Sequence, residues 1–160
     1  DVVELTLALA REMLAGAGRG DVDPSQRLAD GSAMDVWRAM ISAQGGDPDA
    51  PLPVARESTV VTAPASGILT RLDALAVGIA AWRLGAGRGR KEDVVQAGAG
   101  VVLHAKPGDT VTVGQPLLTL HTDEPDRFAR ALVALVDGFV VSPEGTAYDV
   151  VPLVIDRIDG

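Results

Sequence analysis

The sequence predicts an α+β protein in which an all-helical segment precedes a compact domain of short strands and a few helices. Three observations carry this. Up to Gly46 the only regular pattern is helical, with apolar residues recurring every three to four positions and glycines between the runs. Asp47 to Glu57 contains Pro48, Pro51 and Pro53 and has no periodicity, which marks a linker. Beyond it the composition turns to Val, Thr and Gly, with short β-branched runs separated by turn residues. The expected organisation is therefore a helical segment over 1–46, a Pro-rich linker over 47–57 and a folded domain over 58–160.

In the first part, Val2, Leu5, Leu9 and Met13 form one helical stripe and Val3, Leu7, Ala10 and Leu14 an adjacent one. Glu4, Thr6, Arg11 and Glu12 leave only a narrow polar edge, so this helix calls for cover on several sides. The segment up to Gly46 does not supply it. Gly16 to Asp23 is a turn, Asp23-Pro24 opens a short helix ending near Gly31, and Ser32 is expected to cap a third helix with Met34, Trp37 and Ile41 on one face. Gly45-Gly46 ends it.

In the second part, Ser58–Ala63 and Ile68–Leu72 read as strands around the turn Pro64-Ala65-Ser66-Gly67. Asp73 is placed to cap a helix, apolar on nearly every face, that runs into a glycine-rich loop carrying Arg88, Arg90 and Lys91. Strands follow at Val101–Ala105, Thr110–Val113 and Pro116–His121, with Pro107-Gly108-Asp109 and Gly114-Gln115 as turns. Asp123 is expected to cap a last helix in which Phe128, Ala131, Leu132, Leu135 and Val136 pack on the sheet, with Arg127 and Arg130 off that stripe. Phe139–Val141 and Tyr148–Ile158 close the chain as strands.

Composition removes several function classes. The 160 residues carry 22 acidic and 14 basic side chains, a formal net charge of −8, which disfavours non-specific attraction to nucleic acid or an anionic membrane. The chain contains no cysteine, so disulfides, thiolate catalysis and zinc ribbons drop out. Aromatic residues make up 3%, so the core must be built from Ala, Val and Leu. No uninterrupted apolar run of 18 residues occurs, and the first residues lack the basic-then-apolar build of a signal peptide. A chain that starts at Asp1 within a helical pattern is expected to be a piece of a longer protein.

Few residues point to chemistry. The loop Gly85-Ala86-Gly87-Arg88-Gly89-Arg90-Lys91 is where glycines and cations concentrate, and Arg88, Arg90 and Lys91 are candidate anion ligands. It is not a P-loop, because no Gly-Lys-Ser/Thr follows and it succeeds a helix, whose C-terminal dipole disfavours anions. A structural turn is the simpler reading. His104 and His121 are the only histidines, and with no cysteine they make a poor metal cage. Ser66, His104 and Asp109 form a nucleophilic set only on paper. Glu57, Glu92, Asp93, Asp123, Glu124 and Asp126 are explained by capping and solvation before any acid-base pair.

The run Lys106-Pro107-Gly108-Asp109-Thr110-Val111-Thr112-Val113-Gly114-Gln115-Pro116-Leu117 resembles the hairpin of biotinyl and lipoyl carrier domains, which implies a barrel-sandwich-type element. A carrier needs an exposed Lys soon after this run, and none occurs from Leu118 to Arg130. Together with Ala-Pro-Ala-Ser-Gly-Ile-Leu at Ala63, Leu-Gly-Ala-Gly-Arg at Leu84, Gly-Ala-Gly-Val at Gly98 and the Gln44-Gly45-Gly46 helix end, this run resembles the C-terminal part of the thymidine phosphorylase and pyrimidine-nucleoside phosphorylase family. The resemblance covers essentially the whole chain. It implies an α/β-hammerhead-like C-terminal domain preceded by the last helices of an α/β catalytic domain. It also implies phosphorolysis of thymidine or uridine by the intact enzyme, with inorganic phosphate as co-substrate and no other cofactor, in a cytoplasmic homodimer. The family's catalytic groups, its Gly-Gly-Thr-x-Asp signature and its monovalent-cation ligands precede the stretch matched here. No Gly-Gly-Thr occurs in this sequence, so no catalytic, substrate-binding or metal residue carries over. The rival expectation is a stand-alone barrel-sandwich adaptor without catalysis.

Overall fold

In the computed structural model, which describes residues 1–158, three helices form where the sequence places them. They are α1 (Val2–Gly16), α2 (Pro24–Ala29) and α3 (Ser32–Ala43). Asp23 caps α2 by accepting from the Ser25 N–H, with Pro24 in the first turn. The Ser25 hydroxyl and amide hold the Asp23 carboxyl below its ordinary value. Ser32 is not the cap of α3. Its amide and hydroxyl both donate to Asp30 Oδ1, at 2.9 and 2.6 Å, and Gly31 takes the cap position at φ 81°. The reason is local: Asp30 closes a turn that a left-handed glycine continues, which leaves the Ser32 hydroxyl pointing backwards. None of these helices holds a buried residue, and Val2 and Met13 remain 73% and 75% exposed. The cover that the double stripe of α1 calls for is not supplied within this unit.

The helices group with residues 151–158 into one unit, and Leu52–Val150 form the other. The change of unit thus falls within the Pro-rich 47–57 stretch. Within the helical unit Arg157 pairs with Glu12 at 3.3 Å. Tyr148–Ile158 contains no strand among the described residues. Pro152 lacks the ladder donor, and Val150, Ile155 and Ile158 stay exposed at 81% or more, so apolar alternation without a neighbouring edge does not make a strand.

The second unit contains β1 (Glu57–Thr62), β2 (Gly67–Leu72), α4 (Ala74–Ala81) with a π-turn at Trp82–Ala86, β3 (Gly100–Leu103), β4 (Thr110–Val111), β5 (Pro116–Thr122), α5 (Arg127–Ala134) and β6 (Phe139–Ser142). Two three-stranded antiparallel sheets result, ordered β1-β5-β3 and β4-β2-β6. They do not close into a barrel. The hairpin expected at Thr110–Leu117 does not pair with itself, because β4 lies in one sheet and β5 in the other. The turn between them is fastened to the end of β1: Gly114 N–H donates to Ala63 O, and Ala63 N–H to Gln115 O. Ser66 Oγ accepts from Val113 N–H, so the chain crosses between sheets there.

The core is built from small aliphatic side chains. Leu69, Leu84, Leu118, Leu120, Ala80 and Ala131 are fully buried, with Leu117 and Val111 at 1%. As the central strand, β5 buries both faces, which explains the adjacent Leu117 and Leu118. Asp73 caps α4 as expected, accepting from Ala76 N–H at 3.0 Å. The helix is less enclosed than its composition implies, since Leu75 is 73% exposed. Asp126, not Asp123, sits at the start of α5, because Asp123 turns back to accept from Arg56 N–H. The later start leaves Leu132 and Val136 on the exposed side, and only Ala131 and Leu135 of the expected stripe are buried.

Gly67 at the entry of β2 has φ 154°, and a Cβ there would lie 1.9 Å from the Ser142 carbonyl oxygen on β6. Gly67→Ala is therefore expected to destabilise the chain by about 3 kcal/mol or more in urea denaturation. Gly20→Ala, where a Cβ meets nothing within 4 Å, serves as the tolerated control.

Candidate functional site

The π-turn ends α4 with a reversal that only glycine accommodates. Gly85 has φ 115°, and its missing side chain leaves room for Gln96, whose Cδ would be 2.9 Å from a Cβ. The Leu84 and Gly85 carbonyls at this reversal are answered from later in the chain. Thr122, fully buried at the end of β5, donates its hydroxyl to Leu84 O at 2.7 Å, and Gln96 N–H donates to Gly85 O at 2.9 Å. The Gln96 side chain then bridges onward: its Oε1 accepts from Asp123 N–H at 2.8 Å and its Nε2 donates to Glu124 Oε1. This network fixes where the glycine-arginine loop leaves the helix.

The loop itself contains an anion. Asp93 Oδ2 accepts from the amides of Gly89 and Arg90, at 2.9 and 2.8 Å, so a carboxylate of the chain occupies the donors that the sequence offers to a phosphate. Arg88, Arg90 and Lys91 are exposed, and none of them lines the adjoining cleft.

That cleft, of about 420 Å³, lies beside the loop and is lined by three arginines the sequence reading passed over. Arg83 is the one charged residue between Asp73 and Gly87, and Arg127 and Arg130 lie off the apolar stripe of the last helix. Arg83 Nη1 donates to Arg130 O at 2.7 Å, and Arg130 Nε donates to Arg83 O at 3.2 Å, a reciprocal brace between the π-turn and α5. Arg127 pairs with Glu124 at 2.9 Å, and its buried Nε has no hydrogen-bond partner. The Arg127 hydrogen bond holds the Glu124 carboxyl below its ordinary value, with partial desolvation opposing. Trp82, Gly87, Gly89, Val94 and Gln96 line the cleft too, as do the carboxylates Asp93 and Glu124. The signal in the sequence was a lone Arg in an apolar helix and an i, i+3 arginine pair in another. Nothing in the spacing says that they meet.

The remaining candidates are engaged separately. His104 Nε2 lies 2.6 Å from Thr119 Oγ1, Asp109 accepts from Lys106 N–H, and Ser66 holds Val113, so each member of the paper triad has a local partner. Among the described residues no group of three or more His, Asp and Glu is placed to hold a metal ion. No helix among them is long and apolar enough to cross a membrane.

Thr122→Val keeps the shape of the side chain and strands the buried Leu84 carbonyl, so it is expected to cost about 1–3 kcal/mol in urea denaturation, with Thr122→Ser losing less. Glu124 gives a pH signature. Because its folded-state value is depressed, its stabilising contribution is fully present above the ordinary glutamate value of 4.5 and is lost as pH falls through the folded value. Glu124→Gln is expected to lower the denaturation midpoint at pH 7 and to converge with the parent chain as the pH falls below the folded-state value.

Comparison with known proteins places this geometry. Residues 68–142 match the family model of the pyrimidine nucleoside phosphorylase C-terminal domain, which spans β2 through β6 and includes the cleft. The thymidine phosphorylase of Mycobacterium tuberculosis is 52% identical over 158 residues, which is 99% of this chain and 36% of the relative. The pyrimidine-nucleoside phosphorylases of Staphylococcus haemolyticus and Staphylococcus epidermidis are 37% and 33% identical, covering 77% and 99% of this chain. The chain spans 31–38% of the length of these relatives. Over residues 68–142 it belongs to the pyrimidine nucleoside phosphorylase C-terminal domain family.

Proposed function

We propose that the chain is the C-terminal portion of a nucleoside phosphorylase that converts thymidine or uridine and inorganic phosphate to the free base and a pentose 1-phosphate. The observation that carries this is the pairing of near-complete coverage of the chain with roughly one-third coverage of its thymidine phosphorylase relative. In this reading residues 1–46 are the last helices of an α/β catalytic domain. Residues 58–160 correspond to an α/β-hammerhead-type C-terminal domain, here with an extra association of the terminal residues. The exposed apolar faces of α1 to α3 support the first assignment, because helices with no buried residue need a partner surface.

Phosphorolysis needs an anion grip at the attacking phosphate and donors to the departing base, held in one geometry. The chain supplies no Gly-Gly-Thr phosphate signature, and the groups that perform the reaction are placed in the catalytic domain. The role of this portion is structural and positional: it helps shape the lobe that closes over phosphate and nucleoside. Arg88, Arg90 and Lys91 fasten the loop ahead of that lobe. The intact enzyme is proposed to be a cytoplasmic homodimer that requires phosphate and no organic cofactor.

The test is a phosphorolysis assay on two preparations, this chain alone and the product of the uninterrupted reading frame, with thymidine and with uridine. Base release dependent on phosphate is expected only from the longer protein. Turnover by the 160-residue chain at a comparable rate, or none by the longer protein on either nucleoside, would sink the assignment.

A further inference from the structure

The arginine cleft has donors that the fold does not use. Arg83 and Arg130 each give one N–H to the other's main-chain carbonyl, and among the described residues neither is paired with a carboxylate, although the Glu124 charge acts on Arg130 from nearby. Arg127, three residues before Arg130 on α5, opens onto the same cleft. It gives one nitrogen to Glu124 and leaves its buried Nε without a partner. Two carboxylates also line the cleft, Asp93, spent on the Gly89 and Arg90 amides, and Glu124, shared between Gln96 and Arg127, so they offset part of the arginine charge. Three converging cations with partial internal compensation favour an oxyanion, and guanidinium forks match tetrahedral phosphate oxygens in geometry as well as charge.

The apolar side of the cleft is equally defined. The Trp82 indole is half-exposed, and the loop lies against it closely at residue 87, where only glycine leaves room, and at ordinary contact distance at Gly89. A Cβ at Gly87 would sit 2.8 Å from Trp82 Cδ1, and one at Gly89 would sit 3.4 Å from Trp82 Cζ2. The space of about 420 Å³ is within the usual range of small-molecule sites.

We propose that this cleft binds a phosphate-class oxyanion, gripped by Arg83, Arg127 and Arg130 with Trp82 as the wall for an attached organic group. The proposal rests on this unit's own residues and stands whether or not the phosphorolysis reading holds. The free phosphate ion and a phosphate monoester share the chemistry, and the experiment separates them.

Trp37→Phe leaves Trp82 as the sole indole of the chain. In this background, inorganic phosphate and glycerol 2-phosphate are titrated at ionic strength held constant with chloride, read by Trp82 fluorescence and by calorimetry. Saturable binding of at least one is expected. Tighter binding of glycerol 2-phosphate assigns the site to an ester, and tighter binding of inorganic phosphate assigns it to the free ion. Arg130→Gln and Arg127→Lys are expected to weaken binding about tenfold, because each removes a fork donor that a lysine or amide cannot replace. The exposed pair Arg88→Ala with Lys91→Ala is expected to change it by less than about twofold. Glu124→Gln, which removes the internal competitor for Arg127, is expected to tighten binding, a gain that loss of fold cannot imitate. Absence of saturation with both probes overturns the proposal, as does unchanged affinity in Arg130→Gln or failure of Glu124→Gln to tighten binding.

Discussion

The second unit depends on a fully buried hydrogen bond that crosses from sheet to helix. Thr122 is the last residue of β5, the central strand of its sheet, and its buried hydroxyl reaches the Leu84 carbonyl where α4 ends in the π-turn. The same oxygen accepts from Glu124 N–H, which sets the path of the chain toward α5. A free carbonyl at a buried helix end is costly, so the reversal at Gly85, the departure of the loop and the start of α5 are consistent only while Thr122 holds its place. Gln96 extends the same logic to Asp123 and Glu124.

Small side chains make the second half of this arrangement possible. Ala80 on α4 and Ala131 on α5 are both fully buried, which lets the helices approach closely enough for Arg83 and Arg130 to reach each other's backbone. A core with larger residues at these positions would separate the helices and open the brace. The scarcity of aromatic residues, which leaves the core to Ala, Val and Leu, thus has a geometric effect on where the charges stand.

Local features were legible because their causes are local. The Asp73 cap, the Asp23-Pro24 helix start and the β-branched runs of β1, β2 and β5 follow from backbone chemistry within a few residues. Caps failed where another group competed, as the neighbouring Asp30 carboxylate did for Ser32 and the distant Arg56 backbone N–H did for Asp123. Strand pairing was not legible at all: nothing local says that β4 joins β2 while β5 joins β1 and β3. The arginine cleft was hidden for the same reason, since Arg83 and Arg130 are separated by 47 residues in the chain. Tyr148–Ile158 shows the converse error, in which a suitable pattern had no edge to join; Tyr148 instead lays its ring over Gly108.

The Asp93 carboxylate seated on the Gly89 and Arg90 amides bears on what the glycine-rich loop selects. That carboxylate is tethered three residues from Arg90, so it competes for these amides as an intramolecular ligand, with an effective concentration on the order of millimolar or above. A freely diffusing anion must outcompete it and then leave a displaced charge beside its own. The loop's glycines therefore act as a self-occupied receptor. They shut the backbone to small anions and leave recognition to the side chains around it.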